Sequence, residues 1–192
     1  MGETNNVFLI GPMGVGKSTI GRLLAAQLNM PFHDSDREIE FATGADIPWI
    51  FDVEGEPGFR VREARMIDTL TQRKGIILAT GGGAILDPMS RRHLHERGTV
   101  VYLRASVAQQ LERTGKDKNR PLLQTADPLT KIKELFKIRE PLYRETAHLV
   151  IDTSRRSPRS VSSDITRQLR SLWAQTETAG QAAPEPDSLR SN

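Results

Sequence analysis

The segment Gly11-Pro12-Met13-Gly14-Val15-Gly16-Lys17-Ser18-Thr19 satisfies G-x-x-x-x-G-K-[ST], a spacing suited to holding phosphate. Its glycines let the backbone curl so that successive N–H groups face inward. A helix opening at the same point presents its positive end to the same anion. Lys17 brings a full charge to the β- and γ-phosphates, and the Ser18 hydroxyl has the chemistry of a first ligand for Mg²⁺. Gly14, Val15, Gly16, Lys17, Ser18 and Thr19 are therefore candidate ATP-binding residues, and Lys17 is also a candidate catalytic group. An ordinary glycine-rich turn is the alternative, and it leaves the complete motif between an apolar run and a helical stripe unexplained.

A second group of polar residues, Asp34-Ser35-Asp36, follows the short apolar run Pro31-Phe32-His33. In extended chain Asp34 and Asp36 share a side and can act together. One, assigned here to Asp34, can hold Mg²⁺ through water, while Asp36 accepts a hydrogen bond from a hydroxyl awaiting phosphate. Asp34 or Ser35 would serve equally as a helix N-cap, so capping and catalysis both stay open. Arg60 and Glu63, three residues apart, can pair on one helical turn, and a surface ion pair would look the same. The run Gly81-Gly82-Gly83 is either a turn or a place where a ligand meets bare backbone.

These groups need a scaffold. Short strand-like runs at Val7–Ile10, Pro31–His33, Ile76–Thr80, Val100–Leu103 and Leu149–Ile151 alternate with longer helical stretches, the pattern of an α/β fold: a parallel sheet between helical layers. Ile20, Leu23, Leu24 and Leu28 share one helical face. Leu129, Ile132, Leu135, Phe136 and Ile138 are expected on a second, and Val161, Ile165, Leu169, Leu172 and Trp173 on a third. Ser157 and Pro158 form a start signal for the last helix. Met13, Met66 and Trp49 are expected in core or pocket packing.

With 192 residues, 37% of them hydrophobic, the chain has material for one domain, expected over 1–174. Residues 175–192 lack periodicity and are expected to form a flexible tail. The absence of cysteine excludes disulfides, thiolate metal sites and a cysteine nucleophile. Lys and Arg number 27 against 24 Asp and Glu, for a net charge of +3. That suits a phosphate or carboxylate ligand, whereas the spread of basic residues and 5% aromatic content argue against nucleic acid. No run approaches a membrane span, and the first residues lack the pattern of a secretory signal, so a cytoplasmic protein is expected. No Asn-Lys-x-Asp segment for guanine is present, and Val100–Leu103 runs into Arg104 rather than a magnesium-linked acid. A small-molecule kinase is favoured over a GTPase or a motor.

At this point a resemblance becomes specific. The phosphate loop, Asp34-Ser35-Asp36, Gly55-Glu56-x-x-Phe59-Arg60-x-x-Glu63, Gly81-Gly82-Gly83-Ala84, Arg120-Pro121-Leu122-Leu123 and Arg139-x-Pro141-Leu142-Tyr143 stand in the order seen in shikimate kinases. From about residue 7 to 173 the chain resembles that family. The resemblance implies a three-layer P-loop kinase fold with a five-stranded parallel sheet, and transfer of the ATP γ-phosphate to the 3-hydroxyl of shikimate. It further implies that Asp36 contacts the acceptor hydroxyl, that Arg60 and Arg139 grip the carboxylate, and that the Gly81–Gly83 backbone lines the ring. The polar stretch from Leu111 to Arg120 resembles a mobile lid, taken as about 112–125, whose Arg120 would reach the β- and γ-phosphates. Arg113 and Arg156 resemble nucleotide contacts, although surface arginines are common. Mg²⁺ as cofactor and a monomer complete the expectations. Gluconate and nucleoside monophosphate kinases are rivals of the same chemistry, and a non-catalytic nucleotide switch is a rival of another kind.

Overall fold

The structure, a computed structural model, describes residues 5–114, 122, 125 and 127–181. Each apolar run expected as a strand is one. β1 (Val7–Ile10), β2 (Phe32–Asp34), β3 (Ile77–Ala79), β4 (Thr99–Arg104) and β5 (Leu149–Asp152) form one parallel sheet in the order β2-β3-β1-β4-β5. β1 lies at the centre, and its four residues are fully buried.

Alternation along that strand builds the layers. Val7 and Leu9 point into one apolar cluster with Leu24 of α1 (Lys17–Leu28) and Ile165 and Leu169 of α7 (Pro158–Gln181). Phe8 and Ile10 point into the other, with Ile67 and Leu70 of α3 (Ile47–Thr71), Leu94 of α4 (Pro88–Arg97) and Tyr143 of α6 (Pro128–Thr146). A period of two in the sheet and of 3.6 in the helices thus seals both faces. Fully burying such a side chain contributes roughly 1.5–3 kcal/mol, so β1 anchors the fold. α2 (Ser35–Thr43) and the first part of α3 close a smaller cluster around Ile39, Ile50 and Phe59. α5 (Val107–Thr114) lies between β4 and α6 in the chain.

α3 is two limbs joined at Gly55, whose φ of 68° breaks the helical path, and Pro57 enters the second limb in its first turn where no N–H is needed. The kink gives the wall of a cleft two segments: Ile47 and Phe51 on the first, Phe59, Arg60 and Glu63 on the second. A Ser157 N-cap is confirmed, since Ser160 N donates to its Oγ at 3.2 Å.

Several expectations are corrected. Ile138 is 60% exposed and Leu129 lies at the surface, because α6 turns Ile132, Arg139 and Tyr143 inward instead. Trp49 is 54% exposed, not packed in the core or a pocket. Residues 111–114 belong to α5 and are helical rather than an open loop. α7 continues to Gln181, past the expected end at 174, and residues 182–192 lie outside the described residues. Among the described residues no helix is long and apolar enough to cross a membrane.

Candidate active site

The phosphate loop leaves β1 and enters α1 through Gly16, which sits at the N-cap with φ 97° and no side-chain cap. Only glycine takes that conformation without strain, and an uncapped helix start leaves its N–H groups available to an anion. Gly14, Gly16, Lys17, Ser18 and Thr19 line a cavity there, joined by Asp34, Asp36, Thr80, Gly82 and Arg113. Lys17 Nζ donates to Gly11 O at 2.7 Å and Pro12 O at 2.9 Å, so the ammonium folds back over its own loop.

Asp34 meets the capping expectation held open for it, and the same carboxylate also contacts Ser18. Its Oδ2 accepts from Ser18 Oγ at 2.6 Å, and its Oδ1 accepts from Asp36 N at 3.1 Å as the N-cap of α2. One carboxylate therefore starts a helix and touches the hydroxyl proposed to hold a cation. Asp34 and Asp36 do not share the side of an extended strand as expected. β2 ends at Asp34, and Asp36 reaches the cleft from the first turn of α2. Between them, the fully buried Ser35 accepts from Gly81 N at 2.9 Å and ties that turn to the glycine run.

A second cavity adjoins the first, and Asp36 and Gly82 line both. Its walls are Met13, Ile47, Phe51, Phe59 and Leu122, and its polar end is made by Arg60, Glu63 and Arg139. Arg60 Nη1 donates to Glu63 Oε2 at 2.5 Å, and its Nη2 donates to Glu56 Oε1 at 2.8 Å. The two carboxylates grip the guanidinium from its sides and leave donors of the fork for another acceptor. Burial opposes the charge on Arg60, but Glu63 and Glu56 raise its pKa above the usual arginine range. Glu63 is 2% exposed, and burial pushes its carboxyl up against the pull of Arg60. Arg139 is 4% exposed, and burial, with Arg60 close by, lowers its pKa. Glu63 Oε1 and Arg139 Nε are buried and have no hydrogen-bond partner among the described residues, so this end of the cavity retains capacity for a polar ligand.

The glycine run is a close-approach site rather than only a turn. A Cβ at Gly81 would overlap the Glu63 carboxylate and stand 2.8 Å from Asp36 Oδ1; one at Gly83 would run into the Arg60 guanidinium. Bare backbone here is what allows the charged groups to converge.

A third cavity, lined by Gly14, Val15, Gly16, Thr19, Arg113 and Arg156, adjoins the loop and shares Gly14, Gly16, Thr19 and Arg113 with the first. Arg113 Nη1 makes long contacts of 3.5 and 3.4 Å to Gly14 O and Val15 O. Arg156 is held by Asp164 Oδ2 at 3.0 Å. Both therefore stand beside the phosphate loop, while Arg120 lies outside the described residues. The sequence offered Ser35 only as an N-cap candidate and Tyr143 only as part of the motif that begins at Arg139. Ser35 was visible as the residue between two aspartates, and Tyr143 as the neighbour one helical turn from Arg139.

Comparison with known proteins follows the same outline. The family model described as "Shikimate kinase" matches residues 13–170. A shikimate kinase from Pseudomonas fluorescens is 59% identical over 167 residues, covering 87% of this chain and 97% of the relative. The structure of a shikimate kinase from Acinetobacter baumannii in complex with shikimate superposes with a TM-score of 0.86 at 52% identity, over 88% of this chain and 94% of that one. A gluconokinase from Sinorhizobium meliloti, at 15% identity, TM-score 0.59, and 95% and 100% coverage of the two chains, shares the fold alone.

Proposed function

From the premise that the chain belongs to the shikimate kinase family, we propose that it transfers the γ-phosphate of ATP to the 3-hydroxyl of shikimate, giving shikimate 3-phosphate and ADP for aromatic amino acid biosynthesis. The observation that carries this reading is the seam formed by Asp36 and Gly82, which line both the phosphate cavity and the cavity ending in Arg60 and Arg139. An acceptor anchored by its carboxylate at the arginines can turn a hydroxyl toward Asp36, beside the loop that holds the phosphates.

Phosphoryl transfer asks the protein mainly for alignment and charge. In this reading the two arginines fix the acceptor carboxylate, each able to offer paired donors. Asp36 accepts the hydrogen bond of the attacking hydroxyl and receives its proton late in transfer. Lys17 leaves the loop carbonyls for the β- and γ-phosphates, Gly14–Thr19 supply backbone N–H groups, and Arg113 and Arg156 bracket the base. Arg120 is assigned to the moving phosphate from the lid. The paired oxygens of Ser18 and Asp34 fit Mg²⁺, a hard cation that prefers oxygen: Ser18 would hold it directly and Asp34 through water. Mg²⁺ when bound supplies charge neutralisation between the phosphates. A monomer working in the cytoplasm completes the proposal.

The test offers shikimate, gluconate and AMP separately with MgATP and follows ADP release. Turnover on shikimate alone is expected. Turnover on gluconate or AMP in its place would leave the phosphate loop assigned and overturn the arginine clamp.

A further inference from the structure

Two side chains of α6 converge on one backbone oxygen. Tyr143 donates its hydroxyl to Gly82 O at 2.5 Å, and Arg139 Nη1 donates to the same oxygen at 3.3 Å. They are four residues apart and so project from one face of the helix. The bonds are unequal: the short, buried contact of the tyrosine determines where the carbonyl sits, and the longer one lets the arginine follow it.

Tyr143 is built to hold still. It is 1% exposed and its ring stacks on Tyr102 with centroids 5.0 Å apart. Burial raises the pKa of its hydroxyl, which keeps its proton and remains a donor. Arg139 has the opposite character, with no ion pair of 4.0 Å or less among the described residues and no protein partner for Nε. Gly82 O is therefore the fixed point against which this buried cation is aimed.

We infer that Tyr143 is a positioning residue for acceptor binding: its hydroxyl fixes the Gly82 carbonyl, and through it the direction in which Arg139 enters the acceptor cavity. The inference rests on the shikimate kinase reading above, in which Arg139 grips the acceptor carboxylate. It assigns specificity to a residue outside the cavity lining.

Tyr143→Phe removes one oxygen and keeps the stacked ring. Tyr102→Phe is the matched control, because the Tyr102 hydroxyl is buried without a hydrogen-bond partner among the described residues. Steady-state kinetics on the full chain, with shikimate and MgATP varied in turn, are read beside shikimate affinity by calorimetry. Tyr143→Phe is expected to raise shikimate KM and Kd about tenfold, with ATP KM changed less than about twofold, as for a loosened charge-assisted contact. Tyr102→Phe should change neither. In an Arg139→Ala background, Tyr143→Phe should cost nothing further, since the group it aims is gone. Unchanged shikimate KM and Kd in Tyr143→Phe, an equal rise in Tyr102→Phe, or additive losses in the double variant would overturn the inference. Loss of folding in Tyr143→Phe would overturn it too, because the hydroxyl would then serve the core. A wild-type chain that neither binds nor phosphorylates shikimate removes the functional reading itself, an outcome distinct from wild-type turnover with an indifferent Tyr143→Phe.

Discussion

On the nucleotide side of the cleft the anion is to be met by backbone: α1 opens at an uncapped Gly16, and the flanking Arg113 is exposed to solvent. On the acceptor side it is to be met by side chains, with Glu63 and Arg139 almost wholly buried and Arg60 held between two carboxylates. The difference suits the two ligands. A triphosphate carries many oxygens that a loop of N–H groups can follow, whereas a small ring with one carboxylate must be oriented by a few rigid forks. Rigidity here comes from burial, and burial of charge is tolerated because each charge has a partner or faces the cavity.

Removing the group at the seam should separate the two halves most sharply. Asp36→Asn is expected to lower kcat by about a thousandfold or more while leaving ATP affinity within about twofold. Near-normal turnover in steady-state assays would contradict its assignment. Next in size, Arg139→Ala should raise shikimate KM roughly 30- to 150-fold, the range for losing charge-assisted hydrogen bonds of about 2–3 kcal/mol. An unchanged shikimate KM would remove Arg139 from the clamp. Ser35→Ala should lower kcat about tenfold and cost about 1–3 kcal/mol of stability, since it leaves the buried Gly81 N–H unpaired beside the Asp36 turn. Denaturant titration and kinetics measured on one preparation would show both losses or refute the link. Arg156→Ala, at the more solvated side, should raise ATP KM only about three- to fivefold; a loss as large as that of Arg139→Ala would erase the contrast between the halves.

The smallest effect lies away from the cleft. His148 is exposed as a residue, yet desolvation on the side packed against the protein, and then the stacked His95 ring, hold it below its usual pKa of 6.5, and its Nδ1 accepts from Val100 N at 3.0 Å. The folded chain resists protonation there, so below pH 6.5 the unfolded chain binds more protons. Stability should fall as pH drops through the lowered folded pKa and be indifferent to this group above about pH 7.5. The thermal midpoint should decline slightly over that acid range, and a His148→Gln chain should lose the His148 part of the decline. Equal slopes in the two chains would exclude His148 as the source.

The sheet and the phosphate loop were legible because their information is local: apolar runs mark strands, and one contiguous motif supplies backbone, charge and hydroxyl together. The acceptor side was not legible from spacing, since Asp36, Arg60, Gly81 and Arg139 come from α2, α3, the end of β3 and α6, and only the family resemblance grouped them. α6 shows why residue type misleads. Its apolar stripe suggested Ile138 for the core, yet a 3.6-residue period from Ile132 leads through Phe136 to Arg139 and Tyr143. The helix obeys its period and buries a cation that lines the cavity. Likewise the Asp34–Asp36 pair looked like strand alternation but is made by a helix start, a distinction set by where β2 stops pairing with β3. The kink at Gly55 was marked in the sequence by Gly55 and Pro57 standing within one turn, and its consequence for the cavity appears only with α3 in place.

The proposed function requires Asp36 and the arginine clamp to present one particular hydroxyl to the phosphate loop. Its most direct test is the position of the phosphate in the product, read by phosphorus–proton correlation NMR after complete turnover of shikimate with MgATP. A single monoester at the 3-position is expected; a phosphate at another hydroxyl, a mixture, or no phosphorylated product would contradict the proposed function.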